Sequence, residues 1–375
     1  MPFEPRVDTA ELQPLIDALE RARQDLEALE VPSMLAGWLR QLAEARGSHM
    51  STRIEGNAMS EQEVRDLFAH APRRPDVAAI ENLNYRDAVR FAYQVAGDPA
   101  LDVDGGLIRA LHFLVVREVD PYGTAGQYRT TQNAVLNPRR EVLYMPPLET
   151  QLRQLMDDLV QWTRAARGQQ HPLVLAAIAH AEFINLHPFD DGNGRTGRAL
   201  TSYLLARAGW RLRGFVRAEQ IFGADIEAYY AELRRFGPRY PGQHVDFTPW
   251  VRWFLASLLR ETLVDDAVIG AWPQIASDFA EKYRLPSRTA AGFGYVRLAR
   301  SVSSGEYARA LGVSGATAVS DLNSLVTLGA VERVGRGRAT RYRSVRPFDE
   351  VLARIRADAL QLMPHPPRQP PPNPP

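Results

Sequence analysis

The stretch from Pro172 to Leu186 constrains the fold more than any other part of the sequence. It is apolar at nearly every position, and His180, Glu182 and Asn185 are its polar exceptions. A helix that is apolar all round must be covered by other elements, so this stretch predicts a helix at the centre of a helical bundle. A second central helix is predicted to start near Asn193 and to end near Ala208, and a short loop joins the two.

Amphipathic spacing predicts that helices make up most of the rest of the chain. Apolar residues recur at three- and four-residue spacing over 9–30 and 33–54, and Val31 and Pro32 separate these two helices. Ser60 and Glu63 form a capping box that opens a third helix. Further helices are predicted at 76–95, 104–118, 148–166, 224–236 and 247–263. Two short extended pieces, 133–136 and 141–144, predict a β-hairpin.

Composition limits the class of protein. With 375 residues, 45% apolar and 24% charged, the chain is predicted to be globular with two or three domains. It has no apolar run long enough to span a membrane and no apolar signal core, which predicts a cytoplasmic protein without a membrane partner. It has no cysteine, so any metal must be held by oxygen or imidazole ligands.

The segment from His187 to Arg198 combines residues that suit phosphate chemistry. Gly192, Asn193 and Gly194 place open backbone N–H groups at a helix start, which forms an anion site. Arg195 and Arg198 are three residues apart, so both guanidinium groups could grip one polyanion. Asp191 is a hard oxygen ligand suited to Mg²⁺. The imidazole of His187 suits the acceptance of a hydroxyl proton near neutral pH.

These residues, His187-x-Phe189-x-Asp191-Gly-Asn-Gly-Arg195-x-x-Arg198, resemble the complete Fic motif, H-x-F-x-[DE]-G-N-G-R-x-x-R. The resemblance extends to Gly126-Gln-Tyr-Arg129, Tyr144-Met-Pro-Pro147 and Trp250, and it covers roughly residues 35–265. It implies a Fic helical bundle with a β-hairpin flap. Together with a small α+β winged-helix domain, which the pattern of residues 285–345 predicts, the fold class is mainly α. The predicted domains are 1–100, 101–265 and 285–345, followed by a proline-rich tail at 364–375.

The same resemblance implies transfer of AMP from ATP to a hydroxyl side chain of a target protein. His187 would deprotonate the hydroxyl, Asp191 would hold Mg²⁺, Asn193 with its flanking glycines would bind the α- and β-phosphates, and Arg198 would bind the γ-phosphate. Gly194 favours this reaction, because relatives with lysine there phosphorylate their targets. Phe189 would anchor the loop. Tyr229 and Tyr230 are candidates for the adenine pocket.

The hairpin would dock an extended stretch of the target by strand addition, through Val135, Leu143 and Tyr144.

Ser51-Thr-Arg-Ile-Glu55-Gly56 resembles the inhibitory [ST]-x-x-x-E-[GN] helix of autoinhibited Fic proteins. By this resemblance the Glu55 carboxylate would pair with Arg198 and occupy the guanidinium that should hold the γ-phosphate. Because the same glutamate removes AMP in some relatives, an enzyme that works in both directions remains an alternative.

The segment 285–345 shows a different pattern: a helix near Glu306–Leu311, a tight turn, a second helix near 316–328 and two strands around Gly335-Arg-Gly337. This order is typical of a winged helix-turn-helix. The second helix has no Arg or Lys and contains Asp321, which weakens a major-groove interpretation. The wing concentrates positive charge in Arg333, Arg336, Arg338, Arg341 and Arg343.

DNA and protein partners therefore both remain open for this segment, as does a homodimer. The competing functions are a DNA-binding regulator with the Fic core as a nucleotide sensor, and a scaffold with an idle bundle. Intact His187, Asp191 and Arg198 argue against the scaffold.

Overall fold

The computed structural model describes residues 3–29, 31, 33–136, 142–215, 217–235, 245–270, 284–299, 301–337, 340–345 and 359. These residues divide into two compact units, one drawn from 3–23 and 42–261 and the other from 24–41 and 262–359. The predicted domain boundaries at residues 100, 265 and 285 stay predictions, and the predicted tail at 364–375 lies outside the described residues.

The described residues form a mainly helical fold with small sheets, as predicted. The helices are α1 (Thr9–Ala28), α2 (Ser33–Ile54), α3 (Glu61–Ala69), α4 (Val77–Val95), α5 (Gly105–Val116), α6 (Glu149–Ala166), α7 (Pro172–Leu186), α8 (Asn193–Arg207), α9 (Ala218–Ala224), α10 (Ile226–Arg234), α11 (Thr248–Gly270), α12 (Ser287–Ala299), α13 (Ser304–Leu311) and α14 (Gly315–Thr327). The strands are β1 (Val135–Leu136), β2 (Val142–Tyr144), β3 (Ser301–Val302), β4 (Val331–Val334) and β5 (Arg341–Ser344). No helix in the described part of the chain is long and apolar enough to cross a membrane.

Helices α7 and α8 lie at the centre of the first unit. Nearly every side chain of both helices is buried. Helix α8 packs against α4, α5 and α7, and α7 also packs against α6. The prediction of a central helix pair from the apolar run is thereby confirmed.

Side-chain caps fix where the surrounding helices begin. Ser60 and Glu63 make both hydrogen bonds of the predicted capping box before α3. Asp76 and Asp104 cap α4 and α5 by accepting a hydrogen bond from the third residue of each helix. Helix α9 was missed in the sequence, because its seven residues are too few to show a helical period.

Residues 284–345 contain three helices and a three-stranded antiparallel sheet with strand order β3-β5-β4. Their core is made of side chains from every element, including Phe293, Val302, Tyr307, Leu322 and Tyr342. Gly312 ends α13 in the left-handed conformation, with φ of 63°, which makes the tight turn before α14. The element order is the predicted helix, turn, helix and β-hairpin, preceded by α12 and β3, which the sequence pattern did not reveal.

Candidate active site

The loop between α7 and α8 has a residue in the left-handed backbone conformation at each end. His187 follows α7 with φ of 47°, and Gly192 precedes α8 with φ of 73°. A Cβ at position 192 would lie 2.5 Å from the Val116 side chain. Any other residue at 192 would therefore meet both backbone strain and a steric clash.

The first turn of α8 forms an anion site. Gly192 supplies no side-chain cap, so the first backbone N–H groups of the helix remain available. A Cβ at Gly194 would lie only 2.1 Å from Oε1 of Glu55 and 3.1 Å from Nη1 of Arg198. A carboxylate thus lies at the positive end of the α8 dipole, in the place that a phosphate oxygen would take.

Arg198 is completely buried and is held from one side by α2 and the turn that follows it. Its Nε donates to Oγ of Ser51 at 2.8 Å, and its Nη2 donates to the Ser51 carbonyl at 2.9 Å and to Oε1 of Glu55 at 2.7 Å. Its Nη1 makes no hydrogen bond with any residue that the structure describes. Buried guanidinium donors are normally satisfied, so Nη1 beside Gly194 is available to an anion.

The charges of Arg198 and Glu55 support each other. Burial is the largest influence and lowers the pKa of Arg198, but Glu55, Tyr229 and Tyr85 together outweigh it, so the net pKa is raised. Burial is also the largest influence on the Glu55 carboxyl and raises its pKa, but Arg198, Arg195 and His187 together outweigh it, so the net pKa is lowered. Both groups are therefore charged at neutral pH. About a third of the Glu55 side chain, 33%, is exposed to solvent.

Arg195 has partners of its own. It donates from Nη1 to Glu81 on α4 at 3.0 Å and from Nη2 to Asp191 at 3.2 Å. Glu81 and Asp191 thus engage the guanidinium of Arg195, and Glu55 engages that of Arg198. That both guanidinium groups grip one polyanion stays a prediction. Through its own contact, Arg195 orients the Asp191 carboxylate.

Asp191 is the carboxylate best placed to hold a cation at this site. Its side chain is 47% exposed and borders the first turn of α8. No cluster of three or more His, Asp or Glu ligands occurs among the residues that the structure describes. A single exposed carboxylate fits Mg²⁺ when substrate phosphates and water complete the coordination, and it does not fit a metal held wholly by protein.

His187 is poised as a neutral base. Its Nδ1 lies 3.4 Å from the Ile184 carbonyl, which can only accept, so the ring proton is on Nδ1 and Nε2 carries the lone pair. Burial lowers the pKa of His187 to about 4. The imidazole is therefore unprotonated at neutral pH, as proton acceptance requires.

Comparison with known proteins matches residues 102–205 to the Fic/DOC family, and these residues contain the loop, both central helices up to Leu205 and the hairpin. These residues therefore form a Fic domain. The chain is 26% identical over 257 residues to a protein adenylyltransferase Fic from Nematostella vectensis, covering 67% of this chain and 55% of the relative. It is 30% identical over 205 residues to a protein of the same name from Culex quinquefasciatus, covering 53% of this chain and 39% of the relative. The chain thus spans about half or less of these curated relatives.

Solved structures show the same fold. A Fic family protein from Desulfovibrio desulfuricans superposes with a TM-score of 0.54 at 22% identity, covering 92% of this chain and 98% of the other. A Fic domain containing signaling protein from Bacteroides thetaiotaomicron superposes with a TM-score of 0.57 at 22% identity, covering 68% of this chain and 97% of the other. At this identity the likeness establishes the fold alone.

Asn193 shapes the Fic loop with its side chain. Its amide oxygen accepts from the Phe189 N–H at 2.9 Å, and its amide nitrogen donates to the Phe189 carbonyl at 2.8 Å. The expected phosphate contact of Asn193 therefore falls to its backbone N–H. Phe189 is fully buried, in agreement with its expected role as an anchor.

His112 on α5 is a site residue that the sequence did not reveal. Its ring stacks on Phe189 with centroids 3.7 Å apart. Its Nε2 lies 3.0 Å from the Asp191 carbonyl, and its Nδ1 accepts from the Gly126 N–H at 2.9 Å. His112 thereby joins the Fic loop to the Gly126 turn, and only folding brings it there.

Arg129 joins the Fic loop to the hairpin. It is 3% exposed, and it donates to the carbonyls of His187, Thr131 and Pro147. Its backbone N–H also donates to the Pro188 carbonyl. The resemblance had included Arg129 without giving it a role, and the structure shows it bonded to both segments.

Tyr229 lies in the core behind Arg198 and not in an open pocket. It is 1% exposed, and its hydroxyl lies 3.1 Å from Nε2 of His180. The other His180 nitrogen, Nδ1, faces the Gly197 carbonyl at 3.3 Å and must be the donor. Burial lowers the pKa of His180 to about 3, so Nε2 accepts and the Tyr229 hydroxyl donates. Its oxygen then presents lone pairs to the neighbouring Arg198.

Tyr230 is the more exposed of the two tyrosines predicted for the adenine pocket. It is 37% exposed, and its ring centroid lies 5.2 Å from that of Tyr229. Burial raises the pKa of Tyr230 to about 12, and the nearby Glu55 acts in the same direction. Tyr230 therefore borders the anion site, and of the two tyrosines it is the candidate for nucleotide contact.

The predicted hairpin forms beside the Fic loop. Strands β1 and β2 pair antiparallel, with Val135 opposite Tyr144 and a bulge next to it. Leu143 is 48% exposed, whereas the Tyr144 hydroxyl donates to the Asn185 carbonyl at the end of α7. Leu143 thus remains available to a partner, and Tyr144 anchors the hairpin to the Fic domain.

Replacing Tyr229 by phenylalanine is expected to lower the free energy of unfolding by about 1–3 kcal/mol, because Nε2 of His180 would be buried without a donor. The matched change Tyr230→Phe should cost less than about 0.5 kcal/mol, since that side chain is partly exposed. Urea unfolding of both variants measures the difference. Equal stability of the two would contradict the inferred direction of the His180 hydrogen bond.

Stability is expected to fall as the pH drops below about 6.5. His112 and His180 are both buried, and burial lowers their pKa values to about 4 and about 3. Between these values and about 6.5 the unfolded chain binds more protons than the folded chain, so each histidine costs up to ~1.4 kcal/mol per pH unit. Urea unfolding at pH 7, 6 and 5 tests this. His180→Gln should show a shallower dependence, whereas the exposed His70→Gln should not.

Proposed function

We propose that the Fic domain of this chain transfers AMP from ATP to a Ser, Thr or Tyr hydroxyl of another protein. The observation that carries the proposal is a neutral histidine next to an anion site that a carboxylate now fills. Further support comes from the curated relatives named protein adenylyltransferase Fic.

In the proposed reaction the target hydroxyl oxygen attacks the α-phosphorus of ATP. The new bond joins that oxygen to phosphorus, and the bond from phosphorus to the α,β-bridging oxygen breaks, so that pyrophosphate leaves. The hydroxyl proton passes to Nε2 of His187, whose Nδ1 proton and backbone carbonyl are held by Ile184 and Arg129. These contacts fix the ring so that its lone pair has a constant direction.

The phosphates would occupy the anion site on α8. Backbone N–H groups around Gly194 would bind the phosphates near the reacting centre, and the guanidinium of Arg198, which Glu55 now engages, would bind the terminal phosphate. Asp191 would hold Mg²⁺, which when bound neutralises charge that develops on the leaving pyrophosphate. Arg195 keeps the Asp191 carboxylate in place for this purpose.

We infer that Glu55 restrains the reaction. Its carboxylate accepts from Arg198 and lies against Gly194, so it occupies both the guanidinium and the space that the terminal phosphate needs. Two negative groups in one small site repel each other, and ATP would have to displace Glu55 or bind in a displaced position. The resting protein is therefore proposed to be weakly active.

The target would dock at the hairpin. The exposed Leu143 and the backbone of β1 and β2 offer an edge for strand addition next to His187. Asn133, at the start of the hairpin, donates to the Phe189 carbonyl, which fixes the edge relative to the Fic loop.

The test is labelling of protein in a cell lysate with ATP radiolabelled at either phosphate. Label at the α-phosphate should enter protein and label at the γ-phosphate should not, because AMP is transferred and pyrophosphate leaves. The signal should be stronger with Glu55→Gly protein and absent with His187→Ala. Transfer of the γ-label instead would overturn the proposal, as would equal labelling by the His187→Ala protein.

A further inference from the structure

Residues 284–345, the winged segment, carry a large excess of positive over negative charge. The segment has ten arginines and three acidic residues, a formal charge of +7, whereas the whole chain has +1. The rest of the protein is therefore net acidic. A local excess of this size in so short a segment indicates a polyanionic partner.

The acidic residue of α14 does not face solvent. Asp321 is 4% exposed and accepts two hydrogen bonds from Arg288 on α12, each 3.0 Å long. The Thr289 and Tyr307 hydroxyls also donate to it. The charge of Asp321 is therefore paired inside the segment and does not oppose groove binding, whereas the lack of Arg and Lys in α14 still counts against it.

The exposed face of α14 is polar and uncharged. Its exposed residues are Gly315, Ala316, Val319, Ser320, Asn323, Ser324 and Thr327, and Ser314, which caps the helix, is exposed as well. The side-chain amide of Asn323 makes no hydrogen bond with any described residue, and an amide of this kind can pair with N6 and N7 of adenine. Val319 is 40% exposed and offers methyl groups of the kind that contact thymine.

Two wing arginines are available for phosphates. Arg333 and Arg336 are exposed and have no ion-pair partner in the part of the chain that the structure describes. Arg341 is instead bonded to Ser301 and Glu306, and Arg343 to Glu332. These two therefore make their bonds within the segment. Arg338 lies outside the described residues.

We propose that the winged segment binds duplex DNA, with α14 in the major groove and with Arg333 and Arg336 on the phosphates. The major groove of B-form DNA admits an α-helix, whereas that of A-form RNA is too narrow. Binding of single strands relies on exposed aromatic rings, and the described aromatic side chains of the segment are not exposed. A face of hydroxyl and amide groups also suits base edges better than an apolar protein surface.

The test uses the full chain and fluorescent 30-base-pair duplexes, first of random sequence and then enriched by repeated selection. Anisotropy should show binding that weakens with salt. Arg333→Gln with Arg336→Gln should lower the affinity and reduce the slope of log K against log salt by about two. Asn323→Ala should keep the slope but lose roughly 5- to 150-fold of the preference at one base pair.

The matched control is Arg73→Gln with Arg74→Gln, which removes two exposed charges outside the winged segment. It should bind DNA as the unmodified chain does, and so should His187→Ala, which separates this proposal from the transferase reaction. Three results would overturn the proposal: no retention of any duplex, equal loss in the wing and control variants, or tighter binding of single strands or duplex RNA. Circular dichroism melts of each variant ensure that a loss of binding is not a loss of folding.

Discussion

Glu55→Gly is expected to raise the rate of AMP transfer about 10- to 150-fold at limiting ATP. The variant frees Nη2 of Arg198 and clears the space above Gly194, both of which the Glu55 carboxylate now occupies. A hydrogen bond between charged groups contributes about 1.5–3 kcal/mol, which sets the range of the expected gain. Incorporation of α-labelled AMP into protein over time measures the rate.

Glu118→Gly is the matched control, because it also removes one exposed carboxylate and places glycine where the backbone has φ of 67°. It should leave the rate unchanged. Glu55→Gln keeps the shape of the side chain without its charge and should give an intermediate rate. A rate in Glu55→Gly no higher than in the control would contradict restraint by Glu55.

The same contact predicts a difference in ligand binding that does not depend on catalysis. A ligand that binds only the folded state raises its melting temperature, and the rise grows with the logarithm of the ratio of ligand concentration to dissociation constant. A non-hydrolysable ATP analogue should therefore stabilise Glu55→Gly more than the unmodified chain. Equal shifts would place the carboxylate outside the nucleotide site.

The sequence predicted those features that depend on local spacing. The apolar run before His187 requires a buried helix. The Ser60 and Glu63 pair caps the start of α3, and glycines mark the start of α8. Each of these signals lies within a few residues of the structure it specifies. The pairing of Glu55 with Arg198 came from the motif resemblance, because 143 residues separate the two.

The contacts that sequence reasoning missed are those made by long-range folding. His112 reaches Asp191 across 79 residues, and Arg195 reaches Glu81 across 114. Hydrophobic periodicity does not predict such pairs, since the sequence around His112 or Glu81 resembles that of any other helix. Burial is equally hidden, because Tyr229 and Tyr230 are adjacent in sequence yet one is in the core and the other is half open.

The sequence was least informative about which charged side chains are exposed to solvent. Asp321 and Arg341 read as surface charges in the sequence, but each is paired within the winged segment. A charged residue turns inward when a partner of opposite sign can satisfy it, and that partner lies on another element in both cases. The sequence therefore showed how much charge the segment carries but not which side chains display it.

His187→Ala is expected to lower the rate of AMP transfer about 10²- to 10⁴-fold in the Glu55→Gly background, because the hydroxyl proton loses its acceptor. Nucleotide binding should persist, since the anion site is formed by α8 and Arg198 and not by the imidazole. Single-turnover labelling and thermal shift with the ATP analogue measure the two effects separately. His70→Ala, which removes an exposed histidine, should change neither.

The pH dependence of that rate tests the role of His187 as the base. Burial lowers the pKa of His187 to about 4, and Glu55 acts to raise it, so the Glu55→Gly change should not move it upward. The base is then unprotonated throughout the range from pH 5.5 to 8, and kcat/KM should be nearly constant across it. A histidine of ordinary pKa, near 6.5, would lose about tenfold between pH 7.5 and 5.5. A midpoint between pH 6 and 7 would therefore show that the reacting imidazole is not buried as it is here, or that another group takes the proton.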